Sequence, residues 1–233
     1  MTFFLTMMVQ YKIYATLLDA FQRYLHSDSE EAVQELLDKI NRVPYENEAA
    51  EKGTAFNNLV DQCIKENLLL SSDSGVISHP HTSRTGEQYV FEFKTSIINE
   101  MVCKFKGAVS QVYCEGVLPT RYGDVLLYGF IDELLGGVVY DIKTTGRYEF
   151  PKFLHAWQHV VYPYCLVANG VDVDTFEYTV TDFSNVYREE YFYRADRDVP
   201  RLVAIVERFI EFLQARVLDI TDKKVFAMEE EMV

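Results

Sequence analysis

Asp132, Asp141 and Lys143 are the residues of this 233-residue chain whose types and spacing could do chemistry. They flank Gly136-Gly137, a dipeptide suited to a two-residue hairpin because both turn positions can require positive φ. With the turn centred there, Leu135 faces Val138, Leu134 faces Val139, and Asp132 falls opposite Asp141. Cross-strand partners carry Cβ atoms roughly 4.5–5.5 Å apart. Side chains alternate along a strand, which puts Lys143 on the face of Asp141. The other face receives Ile131, Leu135, Val138, Tyr140 and Ile142, with Glu133 as the polar exception. Two opposed carboxylates repel unless something compensates. A divalent cation is the simplest compensation, because Mg2+ takes oxygen ligands and often only one or two protein carboxylates. Such an ion activates water and stabilises charge on a phosphate under attack, with Lys143 placed to assist. The same residues would also suit a solvent-exposed hairpin on which Lys143 balances one Asp, a common pairing that contributes little.

The elements that must position these residues are legible from periodicity. Residues 11–25 place Leu17, Leu18, Phe21, Tyr24 and Leu25 at helical spacing, and 29–40 offer a second helix with Ser29 as N-cap. Residues 53–69 read as a third. The segment 71–88, with Gly75, Pro80 and Gly86, reads as a loop or irregular hairpin. Tyr89, Phe91 and Phe93 alternate as a strand, and 96–105 suit a short helix. Strands are expected over 111–118, 124–134 and 137–143, then a helix over 150–168 that Pro163 should kink. Strands over 174–181 and 186–193 and a helix over 199–218 close the chain. This order implies an α/β (α+β) fold, a central mixed sheet flanked by helices.

Three motifs in sequence resemble the RecB-type branch of the PD-(D/E)xK nuclease superfamily. A strand ends in Gly129-Phe130-Ile131-Asp132, a second delivers Asp141-Ile142-Lys143 followed by Thr144 and Thr145, and the next helix carries Gln158-x-x-x-Tyr162. Taken alone, Gln158 and Tyr162 share a helix face and could be an amphipathic seam. The resemblance implies that they flank the metal site and hold the lysine or contact DNA. It also implies a restriction-endonuclease-like core, with Asp132, Asp141 and the Ile142 carbonyl as ligands of Mg2+ or Mn2+ and Lys143 as the catalytic ammonium. Thr144, Thr145 and Arg147 would lie on DNA. Upstream, Lys52-Gly53-Thr54-Ala55-Phe56-Asn57-Asn58-Leu59-Val60-Asp61 is similar to the family's first motif, with Asn57 where the family has a metal-ligating His. An amide oxygen can still ligate Mg2+, more weakly than imidazole ligates Mn2+. Glu115 resembles an acidic residue that relatives place near the metal, and equally suits an edge-strand surface. Several relatives hold an iron–sulfur cluster through a late cysteine group. Nothing after Cys165 could serve here, so no cluster is expected.

The resemblance runs over residues 53–168 of one nuclease domain, 1–233, with an N-terminal helical part (1–52) and closing strands and helix (169–233). It points to an exonuclease of recombination, repair or phage-type processing. DNA is the expected partner, with room for a homo-oligomer and a recombination partner protein. The alternative is a weak or inactive nuclease-fold protein that binds nucleic acid. The net charge of −14 argues against a nucleic-acid partner, since phosphate binding relies on Lys and Arg. Yet the acidity clusters at 46–51 and 229–231, while 94–106 holds three lysines and one Glu. Net charge speaks to solubility and steering, not to a local groove. The apolar opening, residues 1–9, is too short to span a bilayer and has no basic front, so a cytoplasmic protein with no membrane partner is expected. The four scattered cysteines read as buried free thiols. The histidines read as surface residues, His79 and His81 in a loop and His155 and His159 on a helix, with His155 a minor candidate for phosphate contact.

Overall fold

Gly136 and Gly137 both take positive φ, 59° and 80°, and join β5 (Gly123–Leu135) to β6 (Val138–Thr144). Leu135 pairs with Val138, Leu134 with Val139 and Glu133 with Tyr140, as the turn chemistry dictates. The ladder stops there. Asp132 and Asp141 do not pair; β6 swings away and pairs in parallel with β7 (Thr175–Thr181), which turns back into β8 (Val186–Phe192). The structure, a computed structural model, describes residues 9–27, 29–45 and 47–227. Glu46, the run 229–231 and all of the apolar opening but Val9 lie outside them.

On its other edge β5 pairs with β4 (Val109–Thr120) from Gly123 to Leu134, except at Asp132. The residue facing that gap, Gln111, has φ 53°, in the left-handed region. The alternation of faces slips at this break. Ile131 joins the main core, whereas Tyr140 and Ile142 pack on the other side of the sheet, so the single apolar face expected of the hairpin is divided between two layers. Glu133 is fully buried, with Ser110 Oγ at 2.9 Å from both of its carboxylate oxygens.

The expected first helix begins later than its periodicity suggests. Tyr11–Tyr14 form strand β1, parallel to Val125–Tyr128 of β5, and α1 spans Ala15–Leu25. Tyr11 and Ile13 alternate inward as well as they would on a helix, and the open edge of β5 decides between the two periods. Helix α2 (Glu30–Ile40) is capped by Ser29, whose side chain accepts from the Ala32 N–H. Helix α3 starts at Glu48, earlier than residue 53, because Asn47 accepts from the Ala49 and Ala50 amides, and it runs to Glu66. Residues 71–88 are more ordered than expected: β2 (Val76–Thr82) pairs with β3 (Gln88–Lys94) in a separate two-stranded sheet, where Pro80 is tolerated on an edge. Helix α4 (Thr95–Lys104) follows.

The helix expected over 150–168 forms only as α5 (Gln158–Ala168), running through Pro163. Upstream, the buried Glu189 carboxylate accepts the Lys152 and Phe153 amides and the Tyr148 hydroxyl, so these groups need no helical partners. Helix α6 (Ala195–Ala215) closes the fold. The six-stranded mixed sheet is covered by α1, α2, α5 and α6 on one face and by α3, α4 and the β2–β3 hairpin on the other. Among the described residues no helix is long and apolar enough to cross a membrane. Cys63, Cys114 and Cys165 are buried and Cys103 is exposed.

Two histidine expectations need correction. His79 and His81 lie on β2, not in a loop, and His81 Nε2 contacts Glu51 Oε2 at 2.7 Å, joining hairpin to α3. His159 is buried, its ring stacked on Tyr191 at 4.1 Å. Burial pushes its pKa down to about 4 from 6.5. The unfolded chain binds this proton near pH 6.5 and the folded one only near pH 4, so stability falls as pH drops through that window. This histidine accounts for about 3 kcal/mol of that loss. Urea denaturation of His159→Phe across pH 4 to 7 should show a flatter profile than the parent; identical profiles would refute the assignment.

Candidate active site

The site lies at an opening in the sheet. β1 and β6 share the edge of β5 opposite β4, β1 holding Val125–Tyr128 and β6 holding Glu133 to Leu135. Residues 129–132 have no strand on that edge. Asp132 fills the gap with its side chain, Oδ2 accepting the Ile142 N–H at 2.7 Å. The carboxylate thus takes the place of the carbonyl that a continuing ladder would have supplied.

Asp141, 2% exposed, is held at both oxygens. Gln158 Nε2 donates to Oδ1 at 2.6 Å and lies 3.2 Å from the Tyr162 hydroxyl. Lys143 Nζ stands 2.5 Å from Oδ2 as an ion pair, without the alignment of a directed hydrogen bond. The Gln-x-x-x-Tyr pair therefore secures the aspartate and not the lysine, and both residues are buried. Gly129 makes room for this arrangement: a Cβ there would lie 2.5 Å from Tyr162 Cε1. Gly53 does the same for α3 on β6, since its Cβ would meet Thr144 Oγ1 at 2.5 Å. Thr144 thus serves as a packing contact between those elements.

From the opposite layer, Asn57 Nδ2 donates to the Ile142 carbonyl at 3.3 Å, and its Oδ1 is buried without a partner. One turn on, Asp61 also has a buried, unpartnered Oδ1, while its Oδ2 accepts from Gln111 Nε2 at 2.9 Å. Asp61 closes the motif-like stretch 52–61 but carries no role in the sequence reading; its signal is the i, i+4 spacing from Asn57 on one helix face. Asp19 of α1 was also missed. It accepts the Trp157 N–H at 2.5 Å, ahead of the first turn of α5, and nothing in its local pattern separates it from a solvated helix charge.

Burial raises the Asp132 pKa, and the neighbouring Asp141 charge raises it further. Burial also opposes the Lys143 ammonium, but Asp141 and then Asp132 more than offset it and leave its pKa above the ordinary value. Burial takes Asp19 up to about 6, moderated by the Trp157 N–H and by Lys143. Burial and the Asp141 charge hold Tyr162 protonated.

Other expected site residues stand apart. Glu115 is exposed and accepts from the Tyr113 hydroxyl at 2.7 Å. It sits four residues from Gln111, about 13 Å along β4, so it is not beside the carboxylates. Thr145 donates to the Arg147 carbonyl at 2.8 Å and accepts from Lys152 Nζ at 2.5 Å. Arg147, 83% exposed, pairs with Glu149. Thr145 and Arg147 belong to the loop that follows β6. His155 precedes α5, with its ring near that of His26.

Among the described residues no three His, Cys, Asp or Glu side chains converge at metal-holding spacing. The donors that border the opening are oxygens: the Asp132 and Asp141 carboxylates, the Ile142 carbonyl, and the unpartnered Asn57 and Asp61 atoms. Hard donors with few carboxylates, and a carboxyl strained toward protonation by its neighbour, fit an oxygen-preferring divalent ion.

No family model matches the chain, and no curated protein matches it. Among solved structures, SSO0001 shares 14% identity with this chain; the alignment covers 87% of this chain and 76% of that one at a TM-score of 0.49.

Proposed function

We propose that the protein is a metal-dependent nuclease hydrolysing DNA phosphodiester bonds, in the manner of a recombination or repair exonuclease. The observation that carries this reading is the fixed, buried Asp141, bound by Gln158 and Lys143 in the opening beside Asp132. Asp132, Asp141, the Ile142 carbonyl and the Asn57 amide oxygen would hold Mg2+ or Mn2+, with Asp61 within reach of the same charge. The ion supplies Lewis acidity at the phosphate and a nucleophile competent near neutral pH.

The chain's own residues account for the rest. Gln158 fixes the rotamer of Asp141, and Tyr162 buttresses Gln158. Lys143, kept protonated by the two carboxylates, acts as a positive charge and hydrogen-bond donor at the phosphate oxygens; a general-base role would need a depressed pKa.

The test is degradation of linear and circular duplex DNA in Mn2+, Mg2+ or EDTA, beside Asp141→Asn. Metal-dependent loss of linear DNA alone, absent in the variant, is the expected result. Cleavage of circles would make the activity endonucleolytic, and cleavage that persists in EDTA or in the variant would overturn the reading. A second reading, a nucleic-acid binder that does not cut, is favoured by Asn57, whose Nδ2 occupies the Ile142 carbonyl. DNA binding without cleavage in any metal, with cleavage gained by Asn57→His, would select it.

A further inference from the structure

Tyr113 and Phe130 stand opposite each other on β4 and β5, their ring centroids 5.2 Å apart and their planes tilted by 56°. They are 49% and 57% exposed, whereas Cys114, Leu127 and Ile131, on the other face of the same strands, are buried in the main core. The apolar layer under α3 and α4 includes no residue of β4 or β5. Two large rings are thus left half in solvent, on a sheet face that those helices cover only in part.

The patch lies on the rim of the opening. Phe130 belongs to 129–132, the stretch of β5 with no strand on its second edge, and it precedes Asp132 by two residues, about 7 Å along the strand. Just before it, Tyr128 pairs with Tyr14, the last residue of β1, and their rings lie 6.0 Å apart. Tyr113 follows by two residues Gln111, which stands opposite Asp132 and donates to Asp61. The rings are therefore tied to the carboxylates by strand register and by direct contacts.

The chemistry of the patch narrows its occupant. A stable protein partner needs about 800 Å2 on each side, and two rings bounded by Glu115 and by the polar Asp61–Gln111 contact fall short of that. The charges beside the rings are already matched: Glu115 accepts the Tyr113 hydroxyl, and Arg42, which reaches the Tyr128 hydroxyl at 3.3 Å, pairs with Asp222. A ligand is held here by ring faces more than by charge. Nucleic-acid bases offer such faces only when they are unpaired, because a duplex keeps them stacked on one another. Stacking also suits a chain of net charge −14, since it needs no cation to grip phosphate.

We propose that Phe130 and Tyr113 form a stacking platform for unpaired bases of the substrate strand, on the rim of the opening at Asp132 and Asp141. The proposal rests on the nuclease reading for the identity of the strand, and it gives an acidic protein a foothold on DNA that does not depend on cations.

The test is equilibrium binding in EDTA, which withholds the metal and prevents cleavage. The probes are a single-stranded DNA oligonucleotide, the same strand in a blunt duplex, and an abasic strand of equal length that keeps the phosphates and lacks the bases. The proteins are the parent chain, Phe130→Ala/Tyr113→Ala, and the ring-conserving Phe130→Tyr/Tyr113→Phe. Circular dichroism confirms that each variant is folded. The alanine variant should bind the single strand about five- to a hundredfold more weakly for each ring removed, the worth of one stacked base. The ring-conserving variant should bind it as the parent does. Salt dependence should be the same in all three, because no charge is removed. The abasic strand should bind weakly and equally to all three. Unchanged affinity of the alanine variant for the single strand, the same loss in the ring-conserving variant, or an equal loss toward the abasic strand or the duplex would overturn the proposal. A dimer of the parent that the alanine variant fails to form in sedimentation, with strand binding unaffected, would assign the rings to a second copy and overturn it too. Ring-dependent binding by a chain that never cleaves would remove the nuclease reading and keep the platform. Metal-dependent cleavage by an alanine variant that binds like the parent would do the reverse.

Discussion

Lys143→Ala is expected to lower DNA cleavage by about a thousandfold, the scale of removing one preorganised charge from the transition state of a water-excluded site. The side chain is 27% exposed, lies against the Tyr178 ring and reaches Asp141 Oδ2 at 2.5 Å. Among the described residues no other lysine or arginine pairs with that carboxylate. The substitution leaves the charges of Asp132 and Asp141, which act on each other, without the ammonium, and this gives a second signature. Asp132 already favours its protonated form, and without the ammonium that preference grows. A carboxyl whose folded pKa is raised contributes stability below its unfolded pKa, and that contribution is lost as pH rises through the folded value. Lys143→Ala should therefore lose thermal stability toward neutral and alkaline pH relative to the parent and converge with it in acid. Added Mg2+ should narrow the gap at neutral pH. An undiminished cleavage rate would sink the catalytic assignment, and a pH-independent stability difference would sink the electrostatic one.

Gly129→Ala should be the most damaging single-methyl change near the site. The added carbon would sit 2.5 Å from Tyr162 Cε1, closer than real Cβ contacts come, and 3.1 Å from its hydroxyl oxygen. Tyr162 is buried between α5 and β5 and cannot swing into solvent. Overpacking of this kind typically costs about 1–3 kcal/mol. The displaced ring carries Gln158 with it, and Gln158 holds Asp141, so turnover should fall by up to about a hundredfold, the cost of a small misplacement at a reacting centre. Urea denaturation and turnover of Gly129→Ala, Tyr162→Leu and the double variant form a cycle. A smaller side chain at 162 should recover stability but not rate. Strictly additive stability losses would refute the steric account.

Local chemistry made the hairpin legible. Gly136-Gly137 is a strong turn signal, and the spacing of Asp132, Asp141 and Lys143 about it placed them together before any tertiary contact was considered. What local reasoning could not supply was the break at Asp132. An ideal ladder sets the two aspartates side by side, whereas the chain separates the strands and turns one carboxylate into a backbone acceptor. That outcome goes with the pairing of β6 to β7 and with the left-handed backbone of Gln111 opposite Asp132, neither of which the hairpin encodes. The first strand was misread for a related reason: Tyr11–Tyr14 fit two periods, and a partner far along the chain decides. Asp19 and Asp61 were hidden because a carboxylate on an amphipathic helix looks solvated until a neighbouring element buries it. Gly129 and Gly53 carried a signal in their motifs, but its meaning, close approach by Tyr162 and by Thr144, is visible only once α5 and α3 are docked.

The sharing of one β5 edge by β1 and β6 has a consequence for biosynthesis. Tyr11 finds its partner, Val125, only more than a hundred residues later, and β6 needs β7, which comes later still. Parallel pairings over such separations form slowly, because the loop must close before the contact rewards it. A nascent chain therefore carries β1, α1 and the β4–β5 pairing before β7 and α5, with Gln158, have been made. The opening at Asp132 and Asp141 is completed only after β7 and α5 have been made and have docked on the earlier part of the chain.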